Sequence, residues 1–266
     1  MASALAPHFD DVFALKHAAL DITNQESVDE VVDRVHPAII INTAVIGVDD
    51  CERNPELAKR VNVDGPGFLA QAASRIGAAI VHFSSNYVFD GRPATREPYT
   101  TTDEAHPINI YGKTKLLGER AVATACERSF IVRTSWVYGV GKNSFLATVA
   151  EKLKRGESVK AISDTWASTT NVKDLAQRVV DIVKRDDFGL HHVVNEGICS
   201  YETFARRAAE FAGVPQEIAD RLIEVVSEEE MHRDAARPPW TPMRCVPPMR
   251  SWEEALKDYV WKRSLQ

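Results

Sequence analysis

The sequence predicts an α/β fold built on a doubly wound parallel sheet with helices on both faces. Two continuous runs of apolar and β-branched residues, 38–42 and 79–83, have the composition of strands that are buried on both faces. Segments with apolar residues at helical spacing lie between and after these runs. Because alternating strands and helices arrange consecutive strands in parallel within one sheet, this order predicts the doubly wound class.

The other elements follow from the same periodicities, in chain order. Apolar runs predict strands at 12–15, 38–42, 79–83, 130–132, 191–194 and 223–226. Helical spacing predicts helices over 28–35, 67–76, 109–126, 144–155, 172–184, 201–212 and 252–261. Residues 21–24 offer helix caps, and Ser227 with Glu230 predicts a capping box. The proline-containing segments 86–107 and 237–242 are expected to be irregular, because proline has no amide N–H to donate.

The bulk properties exclude several classes of protein. A chain of 266 residues can form one large α/β domain, or a domain with a smaller lobe. The net charge of −6 argues against a nucleic-acid partner. No apolar run approaches the ~18 residues of a membrane span, and residues 1–9 do not have the pattern of a secretory signal. The four cysteines fit neither a zinc site nor a redox motif, so a cytoplasmic protein without disulfides is expected.

Polar residues follow three of the predicted strands where each strand ends. The segments are 42–44, 84–86 and 133–136. In open parallel sheets, ligands bind beyond the carboxyl ends of the strands. The sequence therefore predicts an active crevice that crosses several strand ends.

The spacing of Tyr111 and Lys115 is the sharpest local signal. The two residues are four apart at the start of a predicted helix, so they share one face. A neighbouring ammonium lowers the pKa of a phenol, and such a pair can transfer a proton near neutral pH. The same spacing also fits an ordinary pair on an exposed helix. The serine-rich strand end at Ser85, 26 residues earlier, favours the catalytic interpretation.

Several motifs together resemble the dTDP-4-dehydrorhamnose reductase family of the extended short-chain dehydrogenase/reductase superfamily. The matching stretches run in order along nearly the whole chain: 20–23, 41–44, 48–56, 61–66, 84–91, 111–115, 133–139, 143–145, 164–174 and 195–200. The resemblance implies a Rossmann-like NAD(P)-binding domain over 1–142. It also implies a mainly substrate-binding α/β lobe over 143–266, with a segment of about 172–196 returning to the first domain.

The resemblance implies that Ser85, Tyr111 and Lys115 are catalytic. Ser85 would hydrogen-bond the sugar carbonyl, and Tyr111 would donate a proton to the developing alkoxide. Lys115 would hold the nicotinamide ribose and lower the pKa of Tyr111. NADP(H) or NAD(H) would supply the hydride, and the implied reaction reduces the 4-keto group of a nucleotide-linked 6-deoxyhexose. A homodimer is possible by the same resemblance.

Further binding residues carry over from the resemblance. Those implied for the cofactor are Asp21 and Ile22 on the adenine side and Thr43, Ala44 and Val45 along the groove. Those implied for the sugar nucleotide are Asn86, Trp136, Asn143 and Arg237. Lys16 ends the predicted second strand, where it could meet the 2′-phosphate of NADP and favour NADP(H) slightly. Each has a structural alternative: a core aromatic for Trp136, a turn for Asn143, and a surface charge for Arg237 or Lys16.

Three departures from the family pattern leave alternatives open. Asn86 stands where the family usually has Asp, which puts the exact sugar in doubt. Thr169 replaces an expected proline, as in a broader set of proteins that includes the regulatory subunit of methionine adenosyltransferase. Another nucleotide-sugar reductase or epimerase, or a non-catalytic regulatory homologue, is therefore the alternative function.

The third departure concerns the phosphate-binding turn. The family opens with a central strand and a G-x-x-G-x-x-G turn that receives the cofactor pyrophosphate. Residues 1–8 here resemble the rest of the first helix, with Ala2 at the third glycine. Either the native chain starts upstream of Met1, or the protein is shortened, binds dinucleotide poorly and has unpaired strand edges.

Overall fold

The computed structural model describes residues 1–263. The helices are α1 (Ala2–Leu5), α2 (Gln25–Val35), α3 (Val48–Arg53), α4 (Pro55–Lys59), α5 (Gly65–Arg75), α6 (Ile110–Ala125), α7 (Phe145–Lys154), α8 (Val172–Lys184), α9 (Tyr201–Phe211), α10 (Gln216–Leu222) and α11 (Trp252–Arg263). The strands are β1 (Ile39–Asn42), β2 (Ala79–Ser85), β3 (Ser129–Thr134), β4 (Val137–Tyr138), β5 (Val159–Ile162), β6 (Trp166–Ala167), β7 (Thr170–Asn171), β8 (Gly189–His192), β9 (Cys199–Ser200), β10 (Ile223–Val226) and β11 (Trp240–Thr241). Short 3-10 turns cover Ala6–His8, Asn86–Val88 and Glu229–Met231, and a π-helical turn covers Arg60–Asp64.

The central sheet is parallel and has the strand order β1-β2-β3-β8. In its register, Asn42 pairs with His82 and Ser85 pairs with Thr134. The polar ends of β1, β2 and β3 therefore meet along one edge of the sheet, as the sequence predicts. The predicted α/β class with a doubly wound parallel sheet is confirmed.

Two cores flank the sheet because alternate side chains of β2 point to opposite faces. Val81 and Phe83 pack in a core with Leu175 and Val179 from α8. Ile80 packs on the other side, in a core formed with α2, α5 and α6. Helices thus cover both faces, which explains the continuous apolar composition of the strand.

A separate core joins the later elements of the chain. Leu153 of α7, Phe204 of α9, Leu256 of α11 and Ala161 of β5 are buried in it. A parallel pair of β5 and β10 lies beside it, and β6 pairs with β9 and β11. This packing forms a smaller α/β lobe next to the sheet, while the predicted domain boundary at 142/143 stays a prediction.

The predicted strand at 12–15 is wrong. Val12, Phe13 and Leu15 have no regular structure and are 47%, 65% and 44% exposed. A strand needs a neighbour for its backbone N–H and C=O groups, and within residues 1–263 β1 is the edge strand on this side of the sheet. The apolar side chains of Ile39–Ile41 in β1 are accordingly only half-buried.

Other boundaries differ less from the sequence predictions. The strand predicted at 191–194 lies at 189–192, where it pairs with β3, and the two following valines are buried beyond its end. Helices α3, α4 and α10 are short and were not predicted from periodicity. The capping box is confirmed, since Ser227 and Glu230 each accept a hydrogen bond from the other's backbone N–H.

The cysteines and helices also bear on the predicted class of protein. Cys51, Cys126, Cys199 and Cys245 are buried free thiols. Within residues 1–263, no helix combines the length and apolar character that crossing a membrane requires.

Candidate active site

Ser85 is the last residue of β2 and is buried at the edge where the polar strand ends meet. Its Oγ accepts a hydrogen bond from the Tyr87 backbone N–H at 3.2 Å and donates to Asn86 Oδ1 at 3.2 Å. The Ser85 side chain also lies close enough to the Tyr111 phenol to act on its pKa. The structure therefore brings together two of the three predicted catalytic residues.

Helix α6 carries the other two residues and is fixed at its start. Asn109 caps it, because its Oδ1 accepts the Gly112 N–H at 2.7 Å. Gly112 allows the helix to approach the turn after Ser85, since a Cβ there would lie 2.0 Å from the Tyr87 carbonyl oxygen. Any larger residue would push Tyr111 away from Ser85.

Tyr111 is neutral at physiological pH. Burial raises the pKa of Tyr111 to about 12, although the nearby Ser85 hydroxyl acts in the opposite direction. The predicted lowering of this pKa by Lys115 is therefore wrong for the protein without ligands, because the loss of hydration outweighs the stabilisation of the phenolate. A neutral phenol retains the proton that a general acid must donate.

Lys115 is almost completely buried one turn further along α6. Burial lowers the pKa of Lys115 to about 8, while the carboxylate of Glu119 raises it. Its Nζ lies 3.5 Å from His82 Nε2. Burial and the lysine charge hold the pKa of His82 well below its usual value, so the imidazole is neutral.

His82 was not predicted as a site residue, because a single histidine inside an apolar strand has the pattern of a core residue. Its Nδ1 lies 3.3 Å from the Asn42 side-chain amide. Asn42 Oδ1 in turn accepts the Ala44 N–H at 3.0 Å. His82 therefore connects Lys115 to the turn that leaves β1.

Asn62 is a second residue that the sequence reasoning missed. It lies in the π-helical turn and is fully buried. Its side chain accepts the Ile46 N–H at 3.3 Å and donates to Thr114 Oγ1 at 3.1 Å. Gly118 leaves room for it, since a Cβ there would lie 2.2 Å from the Asn62 carbonyl oxygen. The irregular turn thereby holds α6 next to the end of β1.

A buried ion pair lies beneath Lys115. Arg133 donates to both carboxylate oxygens of Glu119, at 2.8 and 2.7 Å, and the side chains are 5% and 6% exposed. Ser84 donates a short hydrogen bond to the same carboxylate. Because both carboxylate oxygens of Glu119 accept hydrogen bonds from Arg133, Glu119 does not hydrogen-bond Lys115.

The candidate cofactor residues divide into two groups. Thr43, Ala44 and Val45 form the turn after β1, with Ala44 and Val45 exposed, and His82 and Asn42 connect this turn to Lys115. Asp21 accepts two hydrogen bonds from Thr23, which lower the pKa of its carboxyl group.

Ile22 and Lys16 precede α2 and β1 in the chain. The Ile22 side chain packs against Gly65, where a Cβ would lie 2.8 Å from Ile22 Cδ1. Lys16 is exposed and begins a turn, since its carbonyl oxygen accepts the Ala19 N–H at 2.8 Å. The expectation that Lys16 ends a strand is wrong, for the reason given for residues 12–15.

The candidate substrate residues lie at different depths. Asn86 is buried, and its Nδ2 donates to Thr241 Oγ1 at 2.6 Å. Asn143 is exposed in the irregular segment before α7. The Arg237 guanidinium is nearly buried and forms a two-bond pair with Asp49, at 3.0 and 2.8 Å. The structure thus joins Arg237 to α3 instead of leaving its charge free.

Two pairs of aromatic rings involve residues next to the ends of β2 and β3. Trp136 has a left-handed backbone with φ of 39° and lies against Tyr201, with the ring centres 3.9 Å apart. Tyr87 meets Tyr111 edge to face at 6.0 Å. Tyr87 and Tyr201 were not predicted, because tyrosines in loops and helix starts carry no distinctive spacing. Such rings provide flat apolar surface of the kind that carbohydrate ligands contact.

The chain is similar to known proteins over nearly its whole length. The family model described as the RmlD substrate binding domain matches residues 1–265. The spore coat polysaccharide biosynthesis protein SpsK of Bacillus subtilis is 34% identical, and the match covers 96% of this chain and 89% of that protein.

Two solved structures have the same fold as this chain and are each 33% identical to it in sequence. A dTDP-4-dehydrorhamnose reductase from Clostridium acetobutylicum superposes with a TM-score of 0.90 at 33% identity, covering 98% of this chain and 95% of that one. The enzyme of the same name from Bacillus anthracis, in complex with NADP, has a TM-score of 0.88 at 33% identity, with 96% and 92% coverage.

Proposed function

The chain belongs to the dTDP-4-dehydrorhamnose reductase family, and from this premise we propose that it is a nicotinamide-dependent oxidoreductase acting on a nucleotide sugar. The proposed reaction reduces the 4-keto group of a nucleotide-linked 6-deoxyhexose to a rhamnose-type product. The placement of Ser85 beside Tyr111, with Lys115 one helical turn away, is the observation that carries the proposal. It unites a carbonyl-binding hydroxyl, a neutral proton donor and a cation in one site.

The donors at this site fit the ribose end of a nicotinamide cofactor. Lys115 offers ammonium hydrogens and Tyr111 a phenol hydrogen, both suited to ribose hydroxyls. The exposed turn Thr43–Val45 is connected to Lys115 by Asn42 and His82, which supports a role for the turn in the cofactor groove. When bound, the nicotinamide supplies the hydride.

The protein's own residues would handle the carbonyl and the proton. Ser85 and Tyr111 would donate hydrogen bonds to the keto oxygen and polarise the C=O bond. As negative charge develops on that oxygen, Tyr111 would transfer its phenolic proton to it. Lys115 would stabilise the resulting phenolate, which must be reprotonated before the next turnover. The buried setting strengthens both electrostatic effects.

The proposed sugar contacts are Asn86 and Trp136. Asn86 neighbours Ser85, and its amide keeps the shape of the aspartate usual in the family while losing the charge. Trp136 packs against Tyr201, and the two rings together offer an aromatic surface. Asn143 and Arg237 are proposed to lie nearer the nucleotide and its diphosphate, with Arg237 held in place by Asp49.

For the cofactor we propose NADP(H) over NAD(H). The NADP complex of the Bacillus anthracis relative supports this choice, and the exposed Lys16 is the candidate partner for the 2′-phosphate. The ratio of NADPH to NADH turnover in Lys16→Asp measures that role. An unchanged ratio would remove Lys16 from the proposal.

The decisive experiment is turnover of dTDP-4-dehydrorhamnose with NADPH. Tyr111→Phe keeps the ring and removes the proton donor, so kcat/KM should fall by ~10²–10⁴-fold. Tyr138→Phe is the matched control, because Tyr138 is fully buried in the lobe core and should retain activity. Failure of the parent with every nucleotide sugar tested would favour a non-catalytic binding homologue.

A further inference from the structure

Within residues 1–263, a cavity lies at the outer edge of β8, two strands away from the β2 strand that carries Ser85. It has a volume of ≈ 240 Å³ and is enclosed by β8, the end of α8, and the loops around Thr100 and Val246. Strand β3 separates β8 from β2, which carries Ser85. The cavity shares no residue with the proposed catalytic site.

The lining of this cavity is strongly basic. Arg178, Arg185 and Arg244 contribute to it, whereas Asp187 is the one carboxylate among the described residues that line it. The whole chain has a net charge of −6, so the positive charge of this arginine cluster is opposite in sign to the net charge of the protein. Such a concentration of positive charge in a concave site attracts anions.

The arginines are poorly neutralised by the protein itself. Within residues 1–263, neither Arg178 nor Arg185 has a carboxylate within 4.0 Å. Arg244 meets Glu97 at 3.6 Å, but both side chains are largely exposed. An exposed pair of this kind contributes ~0–1 kcal/mol, so Arg244 is readily diverted to a ligand.

One of the arginines is oriented in advance. Arg178 Nη1 donates to the Pro247 carbonyl oxygen at 2.9 Å, and Nη2 lies 3.4 Å from the Pro248 carbonyl oxygen. Carbonyl oxygens fix the direction of the guanidinium without cancelling its charge. A preoriented guanidinium loses less side-chain entropy when it binds an anion.

Polar groups of a different kind complete the lining. Thr101 offers a hydroxyl, and His192 is buried with its Nδ1 3.2 Å from the Tyr99 carbonyl oxygen. Because a carbonyl can only accept, Nδ1 carries the proton and Nε2 is an acceptor, for which no partner exists among the described residues. Leu190 and Val246 add apolar surface.

We propose that this cavity binds a small phosphate-bearing anion. Arginines recognise phosphate through several N–H donors at once. The volume lies just below the ~300–1,000 Å³ usual for small-molecule sites, so the ligand is of the size of pyrophosphate or a monosaccharide phosphate. The Thr101 hydroxyl suits a ligand that also carries hydroxyl groups.

The test is calorimetric titration of the full chain with inorganic pyrophosphate. The parent should bind with a Kd below ~1 mM, and Arg185→Gln/Arg244→Gln should weaken binding at least ~10-fold. The control Arg34→Gln/Arg221→Gln removes two exposed arginines, on α2 and α10, and should match the parent. Both variants remove the same charge, so only the position differs.

Several outcomes would overturn the proposal: no binding by the parent, equal affinity in the cavity variant, or equal weakening by the control. The last of these would mean general electrostatic attraction. A parallel titration with inorganic phosphate and glucose 1-phosphate identifies the source of the ligand, since tighter binding of the ester points to a sugar phosphate. Turnover of the nucleotide sugar by the cavity variant should persist, which separates this test from that of the proposed function.

Discussion

The two faces of strand β2 are built differently, although both are buried. Toward α8, the strand presents Ala79, Val81 and Phe83 to an apolar core. Toward α6, His82 and Ser84 contact Lys115 and Glu119. Burying polar and charged groups costs free energy unless each finds a partner.

This difference between the two sides of β2 indicates which side supports the proposed catalysis. An apolar face stabilises the fold directly, and side chains of similar volume could replace one another there. The α6 face holds a cation, a histidine and an ion pair in fixed positions below Tyr111. Variants of His82 or Ser84 should therefore affect catalysis, whereas variants of the apolar residues Ala79, Val81 and Phe83 should affect stability alone.

The largest effect on stability should come from breaking the buried ion pair. Glu119→Gln leaves the charge of Arg133 buried without its counterion, which should lower the free energy of unfolding by ~3–5 kcal/mol. Urea denaturation measures the loss. Glu224→Gln, which removes one partner of the exposed pair with Lys160, should cost at most ~1 kcal/mol. Similar losses in both variants would contradict the distinction between buried and exposed pairs.

Lys115 should make the stability depend on pH. Its pKa is about 8 in the folded protein against 10.5 for an ordinary lysine, so the unfolded chain binds more protons between these values. Stability should therefore rise with pH over that window, by up to about 3 kcal/mol, and stay reduced below it.

The pH effect is isolated by comparing Lys115→Met with Lys113→Met, which removes an exposed lysine of the same helix. Lys115→Met should be more stable than the parent at neutral pH, and the gap should close as the pH rises through the window. Lys113→Met should follow the parent at every pH. A constant gap for Lys115→Met would show that its pKa is not lowered.

On the apolar face, Val81→Ala should lower the free energy of unfolding by ~1–3 kcal/mol through lost burial and a small cavity. The kcat/KM of the folded variant should equal that of the parent, because Val81 packs toward α8, on the side of the sheet opposite Lys115. Thermal denaturation and turnover at a temperature well below the transition measure the two quantities. A clear loss of turnover in the folded variant would mean that the two faces are coupled.

The smallest effect on stability is expected for His82→Leu, within ~1 kcal/mol, because an apolar residue of similar size replaces a buried polar one. Activity should nevertheless fall by ~10–100-fold, since Lys115 loses the polar side chain that lies next to its ammonium. His82→Gln keeps a polar side chain beside Lys115 and should recover part of the loss. If both variants retained parental turnover across the pH range, His82 would be a packing residue only.

Much of this arrangement could be predicted from the sequence, where pattern and motif agree. Ser85, Tyr111 and Lys115 were recognised from the strand end, the four-residue spacing and the family resemblance, and the fold brings Ser85 and Tyr111 into contact. The direction of the Tyr111 pKa could not be predicted. Spacing along a helix identifies neighbours but does not reveal how far burial removes water from a phenol.

Residues that act through tertiary contacts escaped the sequence reasoning. His82 is surrounded by apolar neighbours in the chain, and Asn62 lies in a π-helical turn that has no simple periodicity. The strand predicted at 12–15 failed for the opposite reason. Its composition suits a sheet, but pairing depends on a neighbouring strand that no local pattern can guarantee.

Two contacts beside the proposed catalytic residues join segments that are far apart in the chain. Asp49 pairs with Arg237, 188 positions later, and Asn86 donates to Thr241, 155 positions later. During synthesis on the ribosome, the strands of the sheet can pair as they emerge. The contacts beside Ser85 can form only after Arg237 and Thr241 have been synthesised. A nascent or prematurely ended chain would thus have a nearly finished framework but an incomplete catalytic site.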